Sequence, residues 1–425
     1  MASVCLLRTT FPAFSGILPL VRLSSSLAGV ANPIPASFLR GGTSKGIFLN
    51  RSHLPTDQSQ WDAIFLGIMG SPDAQYGRQM NGMGSGVSSL SKICVVGSPS
   101  SEAQKAATAV GIDIDVEYTF AQVGIRDSVI DYSGNCGNLS SMIGVFAVDE
   151  GICTPRISQQ GSNPRLTCTV NTFNTNTKKR IDNTFLVAES GNRYVPVLDG
   201  EQTSIAGVPG RASPILLDFI SPSGARTGQL LPTGRPVESV QVSLLPDSDS
   251  RQVTLPVSLV DATNPTVFTS DRGLRSALGI PDDGAAIDYG DRGVMDALEL
   301  VRQAGARLMG LDPLAQAQPK VAVLKPPPPD DVDADIMIHA FSMGVLHRAV
   351  PMTVGLCLGV AARVPRTIPW DAVGGRQDSD AGKLLRIRHP SGVVEVGAEL
   401  SSGGEVMSAR VMRTGRRLMK GVVWW

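Results

Sequence analysis

The 425-residue chain lacks any excess of charge, since 38 Lys and Arg stand against 38 Asp and Glu. That balance removes the long-range attraction on which nucleic-acid and anionic-membrane binders rely, so neither partner is expected and any anion site has to be local. Cysteine is sparse: Cys5, Cys94, Cys136, Cys153, Cys168 and Cys357 are scattered, with no Cys-x-x-Cys. Such usage argues against a disulfide framework and for reduced thiols. The four histidines (His53, His339, His347 and His389) form neither His-x-x-x-His nor His-Glu-x-x-His, so no zinc site is expected. No uninterrupted apolar run reaches about 18 residues, which excludes an expected membrane-spanning helix. Aromatic residues make up only 5%, whereas 45 Gly and 29 Pro imply many turns and short strands. The length allows two substantial domains.

Acidic residues are missing from the beginning of the chain, and the first is Asp57. Residues 1–33 instead carry Arg8, Arg22 and Ser24-Ser25-Ser26, the composition of a mitochondrial transit peptide. Pro12 and Pro19 interrupt this segment, and a disordered extension has the same composition. The corresponding locations are mitochondrial for the first reading and cytoplasmic for the second.

What is present begins with a hairpin over Ile34–Asn50, turning at Arg40-Gly41-Gly42-Thr43-Ser44-Lys45-Gly46. The turn has two cations and two hydroxyls but not the spacing of a phosphate loop. Residues 59–70 fit a short helix through Trp61, Ile64, Phe65 and Ile68. Asn81-Gly82-Met83-Gly84-Ser85-Gly86 lacks the third glycine of a dinucleotide fingerprint, and a strand follows it where a helix would be needed. Lys92 then abuts the apolar run Ile93-Cys94-Val95-Val96. A lysine held in low dielectric becomes a usable base near neutral pH; one at a strand end can equally keep its ammonium in solvent.

The most informative stretch is Ser133-Gly134-Asn135-Cys136-Gly137-Asn138-Leu139-Ser140-Ser141. An extended run gives way here to a helix with Leu139, Met142, Ile143 and Phe146 on one face. Unpaired N–H groups at the helix start would hold a carboxylate and favour a thiolate at Cys136. The plain alternative is a free cysteine in a turn. The second half repeats this order: strand Ile336–Phe341, the turn Ser342-Met343-Gly344, then a helical stretch Val345–Arg363 broken or kinked at Pro351. Asp296–Gly310 also has helical spacing, and Pro319–Leu324 reads as a strand. Two such units suggest a cleft between lobes with two anion-holding ends, suited to a substrate with two or three carboxylates.

Several of these motifs together resemble the PrpF family. They are Ile34–Gly46, Gly70-Ser71-Pro72-Asp73, Gly82-Met83-Gly84 with Ser91-Lys92, Ser133–Asn138, Gly207-Val208-Pro209-Gly210, Thr227–Gly234, Asp261–Pro265, Ser342-Met343-Gly344 with His347, and His389-Pro390-Ser391-Gly392. The resemblance implies an α+β fold of diaminopimelate-epimerase-like type. Two pseudo-symmetric lobes are expected, each a curled, mostly antiparallel sheet around a central helix. They would occupy residues 34–200 and 201–403, with 404–425 as a closing strand returning to the first lobe. It also implies a cofactor-independent isomerase of unsaturated di- or tricarboxylates such as 2-methylaconitate, aconitate or methylitaconate. A methylaconitate substrate would tie the protein to propionate catabolism.

The family's lysine and cysteine map onto Lys92 and Cys136. Lys92 is expected to abstract the proton, with Cys136 as the acid on the opposite side or as a thiol that shapes the pocket. Asn135, Gly137 and Asn138 would hold one carboxylate, Ser342, Met343 and Gly344 another, and Ser44 with Lys45 would close the third side. The departures from the family pattern are the N-terminal extension, the extra residues around Gly97–Gly111, and Leu90 where bacterial members usually carry Thr. The expected partner is the small acid itself, with a homo-oligomer left open. Two other readings stand beside this one: a non-catalytic accessory protein stabilising an aconitase-like dehydratase, and a cysteine hydrolase pairing Cys136 with His347.

Overall fold

A computed structural model describes residues 31–109, 111–159, 165–200, 203–243, 252–282, 285–375 and 384–425. All but the last three residues of the 1–33 extension lie outside the described residues.

Strands β1 (Ile34–Gly41) and β2 (Ser44–Asn50) form the predicted hairpin. Helix α1 (Trp61–Met69) buries Trp61, Ile64, Phe65 and Ile68 and ends at Gly70 in the left-handed conformation. β3 (Lys92–Gly97) lies parallel to β2, and after α2 (Ser101–Ala109) β4 (Val116–Val123) lies antiparallel to β3. Short β5 (Ile130–Asp131) leads into α3 (Gly137–Ser140) and α4 (Ile143–Asp149). The single helix predicted here is broken at Ser141-Met142, yet Leu139, Met142, Ile143 and Phe146 are all buried as its spacing requires. A meander follows: β6 (Arg156–Gln159), β7 (Leu166–Asn174), β8 (Lys179–Ser190) and β9 (Arg193–Pro196). β10 (Thr203–Ile205) and β11 (Val208–Ala212) make a separate hairpin before β12 (Pro214–Ile220).

β13 (Glu238–Ser243), β14 (Gln252–Ala262) and β15 (Asn264–Ser270) run antiparallel in turn. Helices α5 (Asp271–Leu278) and α6 (Arg292–Leu308) then cross to β16 (Lys320–Lys325), parallel to β15. α6 begins four residues before the predicted Asp296, where the Asp291 carboxylate accepts the Val294 N–H. β17 (Ile336–Ser342) folds back on itself through β18 (Val345–Leu346). This corrects the helix predicted from Val345. Met343 and Gly344 both have positive φ, 55° and 74°, which closes a two-residue hairpin. The helix, α7 (Met352–Ala361), starts only after Pro351, whose fixed φ and missing N–H suit a helix entry. Finally come α8 (Ile368–Ala372), β19 (Leu385–His389), β20 (Gly392–Leu400) and the long β21 (Val406–Val423).

The pairings β1–β2–β3–β4–β7–β8–β12–β21–β1 close a ring of eight strands, parallel only at β2–β3 and β4–β7. α4 packs inside it, against β3, β4, β7 and β8. β12 was expected to belong to a second lobe beginning at 201, but its Ile215–Phe219 segment pairs with β8 in this ring. β21 joins β20, and from there β19, β17, β16, β15 and β14 form a second curled sheet. All of α7 is buried against it. One apolar core, including Leu139, Phe146, Val354 and Leu358, spans both helices. The predicted mixture of buried helices and mostly antiparallel strands is thus present. Among the described residues, no helix is long and apolar enough to cross a membrane.

Candidate active site

The ends of several elements converge on one pocket. Ser44 opens β2, Lys92 opens β3 and Lys320 opens β16; Asn264 opens β15 and Ser342 closes β17. Asn135 to Asn138 come from the turn before and into α3, and Pro351 to Thr353 from the start of α7. These last two segments abut. A Cβ added to Gly137 would lie 3.2 Å from Thr353 Cγ2 and 3.3 Å from Met352 Cβ, so glycine is what lets them meet. The first N–H groups of both helices have no intrahelical acceptor, and Gly137, Asn138, Met352 and Thr353 all line the pocket.

Lys92 is held from behind by a polar net. Ser91 Oγ donates to Val123 O at 3.0 Å, and Gln122 Nε2 to Ser91 O at 2.9 Å. Lys92 Nζ reaches Cys136 Sγ at 3.3 Å and lies 5.8 Å from the Phe120 ring centre. Burial raises the Cys136 pKa, but the Lys92 ammonium, the Leu139 N–H and the Ser44 hydroxyl together outweigh it, and the net shift is downward. The Lys92 and Cys136 termini are therefore in direct contact. They do not face each other across a gap, as the expected opposite-side placement required.

Ser44 is buried, with its Oγ 3.7 Å from Cys136 Sγ. Lys45 points away from the pocket and lies over the Phe38 ring. Asn135 lines the pocket, but its amide is taken up by Tyr118 Oη and Ser140 Oγ, both at 3.1 Å. Asn138 Nδ2 donates to Thr43 Oγ1 at 3.1 Å, which ties α3 to the β1–β2 turn. What these asparagine positions offer a ligand is mainly backbone. Ser342 also lines the pocket, whereas Met343 and Gly344 do not; Pro351, Met352 and Thr353 do.

Two features escaped the sequence reading. Lys320 Nζ donates to Ser342 Oγ at 2.9 Å, and burial, reinforced by the nearby Lys92, pushes its pKa down to about 7. Asn264, buried, lines the same pocket; its Oδ1 accepts from Gln318 Nε2 at 2.6 Å, while its Nδ2 has no partner among the described residues. The signal for Lys320 was present, since Lys320-Val-Ala-Val-Leu324 repeats the pattern of Lys92-Ile-Cys-Val-Val96. His347 lines the pocket too, but its Nδ1 accepts the Ala349 N–H at 3.1 Å. It is not among the hydrogen-bond partners of the thiol, so the hydrolase pairing finds no support. Behind Met352, Arg413 is buried with Nε 3.0 Å from Met352 Sδ and, among the described residues, no carboxylate partner, and burial holds its pKa down to about 10. Among the described residues, no three His, Cys, Asp or Glu side chains gather as a metal site would need.

A lysine–thiol pair in a cleft fed by backbone N–H groups, with further cations behind it, defines an enzyme of the acid–base kind. The chain belongs to the PrpF family, whose model, described as PrpF protein, matches residues 31–425. It is 34% identical to a 3-methylitaconate isomerase of Eubacterium barkeri, over 92% of this chain and 97% of that one. It is 32% identical to a 2-methyl-aconitate isomerase of Shewanella oneidensis, over 92% and 96%. The crystal structure of a methylitaconate-delta-isomerase superposes with a TM-score of 0.65 at 32% identity, covering 93% of this chain and 96% of that one. The chain is accordingly an isomerase.

Proposed function

We propose that the enzyme is a cofactor-independent isomerase of an unsaturated di- or tricarboxylate of the 2-methylaconitate, aconitate or methylitaconate kind. The observation that carries this reading is the Lys92–Cys136 pair, 3.3 Å apart, on the wall of a cleft where two helix starts meet. A hydrogen on a carbon α or vinylogous to a carboxylate is only weakly acidic. Its removal leaves charge spread over the carbon chain and a carboxylate, which the N–H groups of Gly137, Asn138 and Thr353 would stabilise. Transfer of one ammonium proton to the Cys136 thiolate leaves Lys92 as a free amine, the base that takes the substrate's proton. Return of that proton at the γ carbon moves the double bond; return at the original carbon after rotation changes its geometry. The proton is restored and no electrons leave, so the balance calls for no cofactor.

The names of the relatives, which include a (4E)-oxalomesaconate Delta-isomerase of Novosphingobium at 31% identity, fit acids of this kind. An accessory protein would have no use for the paired lysine and thiol. In this reading the strand ring and the second curled sheet are related lobes around the cleft. A mitochondrial address rests only on the composition of residues 1–33, and sequencing the mature N-terminus tests it. The function is tested by incubating the protein with a panel of 2-methylaconitate, cis- and trans-aconitate, methylitaconate and oxalomesaconate, followed by proton NMR. At least one acid should shift its double bond or geometry; no change in any of them would overturn the proposal.

A further inference from the structure

The lysine of β3 has a counterpart. In the first unit an antiparallel pair, β1–β2, is followed by a parallel neighbour, β3, headed by Lys92, and then by antiparallel β4. In the second, the antiparallel pair β14–β15 is followed by parallel β16, headed by Lys320, and then by antiparallel β17. Lys92 has the Cys136 thiol at its Nζ, whereas Lys320 has the Ser342 hydroxyl and, among the described residues, no carboxylate at ion-pair distance, Asp131 standing farther off in the same pocket. A buried cation without an anion is costly, and here it is built into the wall. The buried Arg302 guanidinium pins the approach to β16 through Pro313 O at 2.7 Å and Ala315 O at 2.9 Å. Asn264 lines the same pocket as Lys320, and its amide nitrogen is buried with no partner among the described residues.

We propose that Lys320 and the Asn264 amide bind one carboxylate of the substrate, which supplies the anion that the second lysine-headed strand lacks. The proposal rests on the isomerase reading above. Lys320 is then a binding and specificity residue, and Lys92 remains the base. It also makes binding proton-linked. The groups acting on Lys320 are Lys92 from β3, Asp131 from β5, Arg302 from α6 and Cys136 from the turn before α3; His347, after β18, lines the same pocket and is itself held neutral in part by Lys320. Burial is the largest influence, and the pKa of about 7 leaves Lys320 mostly unprotonated at pH 8. A carboxylate placed against it raises that pKa, so the complex takes up a proton as it forms.

The test is calorimetry of the full chain with propane-1,2,3-tricarboxylate, which has no double bond to move. Titrations run at pH 6.5 and 8 in buffers of different protonation enthalpy. The wild type should take up little proton at pH 6.5 and close to one, about nine-tenths, at pH 8. Lys320→Met should bind about thirtyfold more weakly at pH 6.5 and lose the proton uptake at pH 8. Lys320→Arg, which keeps the charge at all these pH values, should bind at pH 6.5 yet also lose the uptake, and it guards against a folding defect in the methionine variant. Binding by Lys320→Met within threefold of wild type, uptake unchanged in either variant, or no binding by the wild type at millimolar ligand would overturn the proposal. Proton-linked binding by a wild type that isomerises none of the panel acids would instead remove the proposed function and leave Lys320 as a carboxylate ligand.

Discussion

Replacing Lys92 by methionine keeps the length of the side chain and removes the ammonium 3.3 Å from Cys136 Sγ. At that separation, and with an effective dielectric of about 20, the Coulomb attraction between ammonium and thiolate is about 5 kcal/mol. Desolvation of the buried pair takes back part of it, and half, about 2.5 kcal/mol, is a working figure. Burial is the largest influence on the thiol and acts upward; Lys92 leads the groups that outweigh it. Without the ammonium, burial prevails, and the thiolate fraction at neutral pH should fall about fifty- to a hundredfold. The assay is the rate of carbamidomethylation by iodoacetamide between pH 6 and 9, read by mass on the peptide that holds Cys136. Among the described residues the background is low: burial pushes Cys153, Cys168 and Cys357 up to about 12, and Cys94 well above its ordinary value. Equal alkylation rates and equal pH midpoints in wild type and Lys92→Met would refute the reasoning.

Cys136→Ser keeps a hydroxyl near Lys92 but removes the acidic thiol; turnover should fall about a hundredfold with little change in KM, and full activity would reduce the thiol to packing. Gly42→Ala should lower both melting temperature and activity: Gly42 has φ of 52° and an added Cβ would lie 2.1 Å from Asn138 Oδ1. The cost is about 1–3 kcal/mol, and the displaced Asn138 carries the activity loss; a melting curve and rate equal to wild type would contradict this. His347, held down to about 4 by burial and then by Lys92, stays neutral above pH 5. The activity profile between pH 5 and 8 should therefore lack a histidine inflection, and one near pH 6.5 that vanishes in His347→Gln would be evidence against the placement.

Much of the site was legible because the residues carry local signals. Gly134 and Gly137 flank Cys136 at a strand-to-helix turn, and the lysine before Ile93-Cys94-Val95-Val96 stands out against an apolar run. Helix positions followed the spacing of Trp61, Ile64, Phe65 and Ile68 and of Leu139, Met142, Ile143 and Phe146. What was misread depended on partners far along the chain. Met343 gives no local sign that it adopts a positive φ, so the sequence does not reveal the β17–β18 hairpin, nor that Thr353 lines the pocket where Met343 and Gly344 do not. The charge of Lys45 suggests a ligand, but strand alternation sends its side chain away from Ser44, toward Phe38. Lys320 was passed over as part of an ordinary strand, because its burial arises from β3, β17 and the loop pinned by Arg302. That the Lys92 and Cys136 termini touch is a tertiary fact that no spacing of 44 residues could convey.

The claim that Lys92 is the base is tested most directly by deuterium incorporation. Wild type and Lys92→Met are incubated in D2O with whichever panel acid the wild type converts, and loss of the exchanging C–H signal is followed by NMR. With an unchanged circular dichroism spectrum, the variant should exchange and isomerise about ten-thousandfold more slowly or not at all. Exchange at near wild-type rate would contradict the account.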